Sequence, residues 1–429
     1  MESAVKTLST KSYSMTPYAI LIFMLASSFY LYEYTLQVAP SVMTHALMSE
    51  FGLDAASLSV MIAFFSIGYT PMQIPAGLLY DRFGPRILLS VTLLICSLGA
   101  LLFSVTDSYV IACFSRFLIG TGAAFSFVGI LVLLARWFDP HHFAMMAGIA
   151  QLMSSIGSMA GESPLAALSH NLGWRMASFA LAMVGFVLAV GIWLVVRDYP
   201  PNYVERKHPE KHHNEWQRLG VVLRKGQTWA IGLYAFAVWA PIAVFGALWC
   251  VPYLERVYDI STVQASRADS LIWLGVGLGS PLFGWISDRV GLRNLPCSVS
   301  AAIGLVSSIF IVYIPISLPV MWFMLFMLGV AAAGQTVSFA MVKENHHPAH
   351  VGTASGFNNM AVVSGGLFLL PLVGYLLKAN WDGTFLNGAP LYSVAAYQKS
   401  LFILPICFVL ALIASIKLIR ETYTRGIFE

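Results

Sequence analysis

The sequence predicts an all-α membrane protein with twelve transmembrane helices in two pseudo-symmetric six-helix bundles. Three observations predict it. Only 10% of the 429 residues are charged, 58% are hydrophobic, and mean hydropathy is +0.75. A soluble domain carries about 25% charged residues, so this much apolar surface needs a bilayer to cover it. Second, the apolar residues fall into twelve runs, most of them near or above the ~20 residues that cross ~30 Å of hydrocarbon. Third, a ten-residue signature occurs twice. Gly77-Leu78-Leu79-Tyr80-Asp81-Arg82-Phe83-Gly84-Pro85-Arg86 and Gly284-Trp285-Ile286-Ser287-Asp288-Arg289-Val290-Gly291-Leu292-Arg293 both read G-x-x-x-D-R-x-G-x-R, 207 positions apart. A repeat half a chain apart is the mark of a duplicated bundle.

The runs fall at about 17–39, 56–80, 87–105, 108–136, 143–168 and 174–197, then at 228–254, 266–287, 295–314, 319–342, 351–377 and 399–420. Each is read as a helix, because lipid-exposed backbone must satisfy its own hydrogen bonds. Residues 1–197 therefore form the first bundle and 228–429 the second, joined by a cytoplasmic linker at 198–227. The linker holds Glu205-Arg206-Lys207-His208 and Lys211-His212-His213, a solvated charged loop rather than a metal site. The repeat extends beyond the signature. His141-His142 and His346-His347 follow the fourth and tenth runs, and Gly148 matches Gly356 at an offset of 208.

Orientation follows from Lys and Arg. With the N-terminus in the cytoplasm, the inner side holds 18 of them and the outer side 5, with Arg116 inside a helix. The positive-inside rule then puts both termini in the cytoplasm, and the compact chain fits a bacterial inner membrane. The first run is too long for the apolar core of a cleavable signal peptide.

Other classes find no support. A net charge of +4 is too small to suggest nucleic acid. Cys96, Cys113, Cys250, Cys297 and Cys407 lie in or beside apolar runs without a C-x-x-C pair, so neither a metal site nor a disulfide framework is indicated. No phosphate-cradling G-x-x-x-x-G-K-[ST] is present, nor any hydrolytic triad, zinc site or redox motif. The expectation is a non-enzyme without cofactor or metal, driven by an ion or solute gradient.

In each repeated turn, Gly77 and Gly284 are expected to let a neighbouring helix approach. Gly84 and Gly291 permit positive φ. Asp81 and Asp288 accept hydrogen bonds from an Arg of their own turn, among Arg82, Arg86, Arg289 and Arg293, or from a nearby helix N-terminus. A purely topological signal would need only the positive charge. Two copies with identical spacing favour a mechanical role, a cytoplasmic gate.

The signature resembles the loop motif that the major facilitator superfamily carries between helices two and three and again between eight and nine. The twelve runs, central linker and terminal placement are similar to that family over essentially the whole chain. The resemblance implies a central cavity lined mainly by helices one, four, seven and ten, with rocker-switch alternating access. Arg116-x-x-x-Gly120-x-Gly122 resembles the family's fourth-helix motif. The antiporter pattern of the fifth helix is broken. Gly148, Gly157 and Gly161 keep its spacing, but Glu162 stands where Pro is expected and Pro164 comes two later. That departure tilts the reading away from drug export and toward uptake.

Ionisable residues deep in a membrane are costly and mark functional candidates. Glu33 shares one face of the first helix with Tyr30 and Gln37, a polar stripe expected to face the cavity. It serves either proton coupling or substrate contact, or a structural bond to a neighbouring helix. Arg116 wants a carboxylate, from Glu33 or from the substrate, so the two readings are a permanent ion pair and a pair that an anionic substrate displaces. Glu162 is either part of an outer gate and coupling site or an interfacial group. Arg267 and Asp269, at the outer start of the eighth run, are read as interfacial. Gln335, Asn358, Asn359 and Trp239 are the polar and aromatic candidates of the second half, for substrate contact or packing. The expected activity is secondary transport of a small anionic or zwitterionic solute, an amino acid, dipeptide, carboxylate or sugar acid. Proton-coupled uptake by a monomer in a lipid bilayer is favoured, with exchange or export as the alternative.

Overall fold

The computed structural model describes residues 16–201, 215–347 and 350–422. Residues 202–214 of the expected linker, with its histidines, lie outside the described residues, as do Lys6 and Lys11. Among the described residues, eleven helices are long and apolar enough to cross a membrane: α1 Pro17–Phe51, α2 Ala55–Tyr80, α3 Arg82–Val105, α4 Tyr109–Trp137, α6 Trp174–Val195, α7 Gly226–Tyr258, α8 Thr262–Val290, α9 Asn294–Tyr313, α10 Leu318–Asn345, α11 Val351–Ala379 and α12 Val394–Leu418. A twelfth long helix, α5, spans Pro140–Leu172. A short helix at Glu215–Leu223 precedes α7. The ends of α1, α6, α7 and α12 share what is called here the terminal face; the opposite face is distal.

Local chemistry sets the ends. Asp54 caps α2, accepting the Ser57 amide at 2.8 Å. Ser261 and Gln264 form a capping box on α8. Gly52 and Gly291 end their helices in the left-handed conformation.

Among the described residues five helices are broken within their length, α12 among them, which breaks after Ser400 and ends in a π-helix at Ala414–Leu418. α1 tightens to a 3₁₀ turn at Ala39–Met43 around Pro40. α7 passes through a π-helix at Ile242–Trp249 after Pro241. α4 breaks after Ala123 and α10 after Ala333. The other four are the first and fourth helices of each half, the same positions twice.

The repeat is also visible in packing. A Cβ on Gly68 would collide with the Phe117 carbonyl, and one on Gly120 with the Phe65 backbone. These contacts lock α2 against α4. Gly275 against Phe326 and Gly329 against Ile272 do the same for α8 and α10, 207 to 209 positions later. Close backbone approach through small residues is how helices associate where lipid removes the hydrophobic drive.

The halves meet over the distal face. Lys378 Nζ and Asp54 Oδ2 are 2.7 Å apart, the Ala55 amide donates to the Tyr392 hydroxyl at 2.8 Å, and Ser49 Oγ donates to the Asn387 carbonyl at 3.0 Å. Asp54 sits just outside the span of α2. Burial would push its carboxyl up, but the Lys378 ammonium and the Ser57 amide hold it below the usual carboxylate range. Toward the terminal face, Asn359 Nδ2 donates to Gln73 Oε1 at 2.7 Å between α11 and α2.

Candidate functional site

A central cavity lies between the halves. Tyr34 and Gln37 of α1 line it with Ile62, Phe65, Ser66 and Tyr69 of α2 and Arg116 of α4. The second half contributes Trp239, Ala243 and Ala247 of α7 and Val363, Gly366 and Leu370 of α11. The expected lining by helices one, four, seven and ten is thus corrected. α10 supplies none of these residues, while α2 and α11 do. The cause is the tight approach of α2 to α11, where a Cβ on Gly366 would meet the Ser66 hydroxyl.

Arg116 is 2% exposed. Its Nη1 donates to the Leu36 carbonyl at 2.8 Å and its Nη2 to the Gln37 carbonyl at 3.4 Å. Backbone chemistry explains the first bond. In a regular helix the Leu36 carbonyl would accept from residue 40, but Pro40 has no N–H. The freed carbonyl is oriented toward α4, and the guanidinium takes it. The guanidinium carbon also lies 5.2 Å from the centroid of the Phe65 ring, a cation–π arrangement. Nε has no hydrogen-bond partner. No described carboxylate pairs with Arg116 in this structure, so its charge faces the cavity balanced only by carbonyl dipoles and an aromatic face.

Glu33, 1% exposed, does not meet Arg116. It accepts from the Ser126 hydroxyl, which the break in α4 presents toward α1. Nor does the whole predicted stripe face the cavity. Gln37 does, but Tyr30 stacks on Phe127 at 5.1 Å and reaches Gln151 at 3.4 Å, and Glu33 is packed between α1 and α4. Residue 33 and residue 37 are separated by one turn, and that turn carries the wall of the cavity.

Glu162 is fully buried and accepts from Ser41 Oγ at 2.9 Å. Asp269 is also fully buried, and its carboxyl neighbours that of Glu162. The interfacial reading of Asp269 is therefore wrong, whereas Arg267, two residues earlier, is exposed as expected. Helical rotation separates them: residues two apart on a helix point to different sides.

In the second half, Trp239 lines the cavity. Gln335 is buried with Oε1 lacking a partner. Asn358 Nδ2 donates to Ser338 Oγ at 2.8 Å, leaving its Oδ1 without one. Asn359 is used in the bond to Gln73.

The two repeated turns keep their backbone logic. Gly84 takes φ 74° and Gly291 φ 68°. Both turns are fastened to a carboxylate at the end of the half's sixth helix. The Arg86 amide donates to Asp198 Oδ1 at 2.8 Å, and the Arg293 amide to Glu421 Oε1 at 2.9 Å. Arg293 also pairs with Asp288 at 2.8 Å and Glu344 at 2.6 Å, the own-turn bond expected of the second copy. Arg86 instead covers the Trp193 ring at 4.7 Å. Arg82 and Arg289 are exposed beside Phe83 and Trp285. The side chain of Asp81 lies outside the described residues. Gly77 and Gly284 correct the expectation of close helix approach, since a Cβ at either meets nothing within 4 Å.

Sequence reasoning missed Tyr34, Phe65, Ser66 and Tyr69 as lining residues, and Asp269 as the partner of Glu162. One signal was available. Pro40, four residues after Leu36, marks an orphaned carbonyl in search of a buried donor.

Twelve long helices in two similar halves around a charged cavity define a multi-pass membrane transporter. The profile of the Major Facilitator Superfamily matches residues 18–266 and 242–413, and the chain belongs to that family. It is 25% identical over 413 residues to the "Probable galactarate/D-glucarate transporter GudP" of Escherichia coli (strain K12), covering 87% of this chain and 88% of the relative. It is 21% identical over 391 residues to the "Hexuronate transporter" of Bacillus subtilis (strain 168), covering 86% and 90%. It is 25% identical over 366 residues to the "Probable nitrate/nitrite antiporter NarK1" of Thermus thermophilus, covering 78% and 79%. In fold it is similar to the crystal structure of a bacterial homolog of the human lysosomal transporter Spinster, with TM-score 0.75, 16% identity, and 94% and 98% of the two chains covered.

Proposed function

We propose that this chain imports a small organic anion of the sugar-acid class by alternating access, coupled to protons, across a bacterial inner membrane with both termini cytoplasmic. The observation that carries the reading is Arg116, a buried cavity-facing guanidinium with carbonyl and aromatic neighbours but no described carboxylate partner. A charge buried so is stable only when the site supplies, or receives, a counter-ion. A substrate carboxylate would take the free edge of the guanidinium, with Gln37 and Trp239 contacting its hydroxyls and carbon frame. Glu33, occupied by Ser126, holds α1 to α4. The relatives named for galactarate, D-glucarate and hexuronate transport support the substrate class. A second reading, anion exchange, is favoured by the relative named as a nitrate/nitrite antiporter.

The test uses proteoliposomes holding a lumenal pH dye. Labelled D-glucarate and D-glucuronate are offered with and without an unlabelled anion inside. Uptake into empty vesicles with lumenal acidification supports the proton-coupled reading. Uptake that needs a trans anion and leaves the pH unchanged replaces it with exchange. Transport of neither sugar acid under either condition overturns the substrate class.

A further inference from the structure

Glu162 on α5 and Asp269 on α8 are both 0% exposed, and their carboxyl groups are neighbours. Four elements meet around them. Ser41 of α1 donates to Glu162 Oε1, and the Cys250 thiol of α7 lies against Asp269. Glu162 Oε2 and both Asp269 oxygens find no donor among the described groups. The titratable groups facing the pair are each other and Cys250. Glu255, farther along α7, is bonded to Thr262, and Arg267 on α8 is exposed. No described cation reaches the pair.

Two neighbouring carboxylates inside a low-dielectric interior cannot both carry charge. One proton between them turns repulsion into a strong hydrogen bond, and the pair titrates as a unit. The position of the pair gives this chemistry a consequence. Ser41 and Glu162 belong to the first half, Cys250 and Asp269 to the second, so the pair crosses the seam that alternating access must open. It lies on the same side of the cavity as the distal contacts Asp54–Lys378 and Ala55–Tyr392.

We propose that Glu162 and Asp269 hold one proton between them as the latch of the distal gate. Closure of the distal side takes up that proton. Its loss leaves two adjacent carboxylates that repel, and the halves part on that face. The latch rests on the alternating-access reading of the fold and is independent of which anion is carried.

Double electron–electron resonance on the full chain in nanodiscs tests this without substrate. Spin labels at H170C and S317C, on the exposed distal ends of α5 and α9–α10, report the gap between halves. The chain with its buried native cysteines but no reporters gives the labelling background. Wild type is expected to shift from a short to a long distance as pH rises from 5 to 9. Asp269→Asn is expected to stay short throughout, because an amide donates the hydrogen bond permanently. Glu162→Gln repeats the test should Asp269→Asn fail to fold. Ser41→Ala, which removes one donor to the ionised form, is expected to move the midpoint to higher pH and keep the transition. Variants that open with pH as wild type does, or a wild-type distance that ignores pH, would overturn the latch. Loss of transport with the pH-linked distances intact would instead count against the proposed substrate and leave the latch standing.

Discussion

The central cavity and the distal seam both bury charge, and they leave it unbalanced in opposite senses. At Arg116 a cation stands among carbonyls and an aromatic ring with no described carboxylate. At Glu162 and Asp269 two acids are neighbours with no described cation. Pairing Arg116 with a nearby acid would have been cheaper for stability than either arrangement. Keeping them apart is what the proposed anion site and the proposed proton site both require. A buried charge is defined as much by the counter-charge missing around it as by the groups that touch it.

Substitutions at four positions test this contrast. The largest effect is expected at Arg116. Arg116→Gln removes the counter-ion for a substrate carboxylate, a loss of about 3 kcal/mol or roughly 100-fold in transport kcat/KM. Arg116→Lys should recover only part of it, since a point charge cannot keep the Leu36 carbonyl and hold a carboxylate as a planar fork does. Initial uptake rates at matched reconstitution measure both. Phe65→Leu comes next. It removes the ring from the guanidinium, at about 0.5–2 kcal/mol, and should raise KM several-fold with kcat little changed.

Glu33→Gln is expected to be milder. An amide can still accept from Ser126, so uptake should stay within about 3-fold of wild type, as for one neutral hydrogen bond exchanged for another, with its pH profile unchanged. A pH profile lost in Glu33→Gln, and kept in Asp269→Asn, would move the proton site from the seam to the cavity. The smallest effect belongs to the pair of half-buried Asp54 and exposed Lys378. Lys378→Met should shift the distal open–closed balance by less than about 5-fold, and less still in high salt. The sign is fixed by Asp54. Its carboxyl is held below its ordinary value by Lys378 and Ser57 against the opposing effect of burial. Its contribution is therefore fully present above the ordinary carboxylate range and lost only as pH falls through the lowered value. Between pH 5 and 8 this pair is silent, so a transition there in the distance measurement belongs elsewhere.

Much of the fold was legible in the sequence because hydropathy and small-residue packing are local. The twelve runs agree with the helices to within a few residues at many ends, and differ most where breaks extend them. α1 runs on to Phe51 through a 3₁₀ turn, and α7 to Tyr258 through a π-helix. Arg116 was legible as a buried cation because its neighbours in sequence are apolar. Its partners were not, because they depend on how α1 is rotated and on a carbonyl released by Pro40. Glu162 and Asp269 could not be joined by inspection. They sit 107 positions apart on helices of different halves, and only the packing of α5 on α8 brings them together. Glycine positions misled at Gly77 and Gly284, where an added Cβ would meet nothing within 4 Å. They were informative at Gly120, where it would meet the Phe65 backbone.

The most direct test of the cavity is binding itself, apart from any gradient. Isothermal titration of the purified protein with D-glucarate and D-glucuronate, in wild type and in Arg116→Gln shown by size exclusion and thermal unfolding to keep its fold, reads the anion site alone. If Arg116 is the anchor, wild type binds at least one of the two saturably, and the variant shows no saturation over the same range. An Arg116→Gln protein that binds as tightly as wild type, or a wild type that binds neither acid, would contradict it.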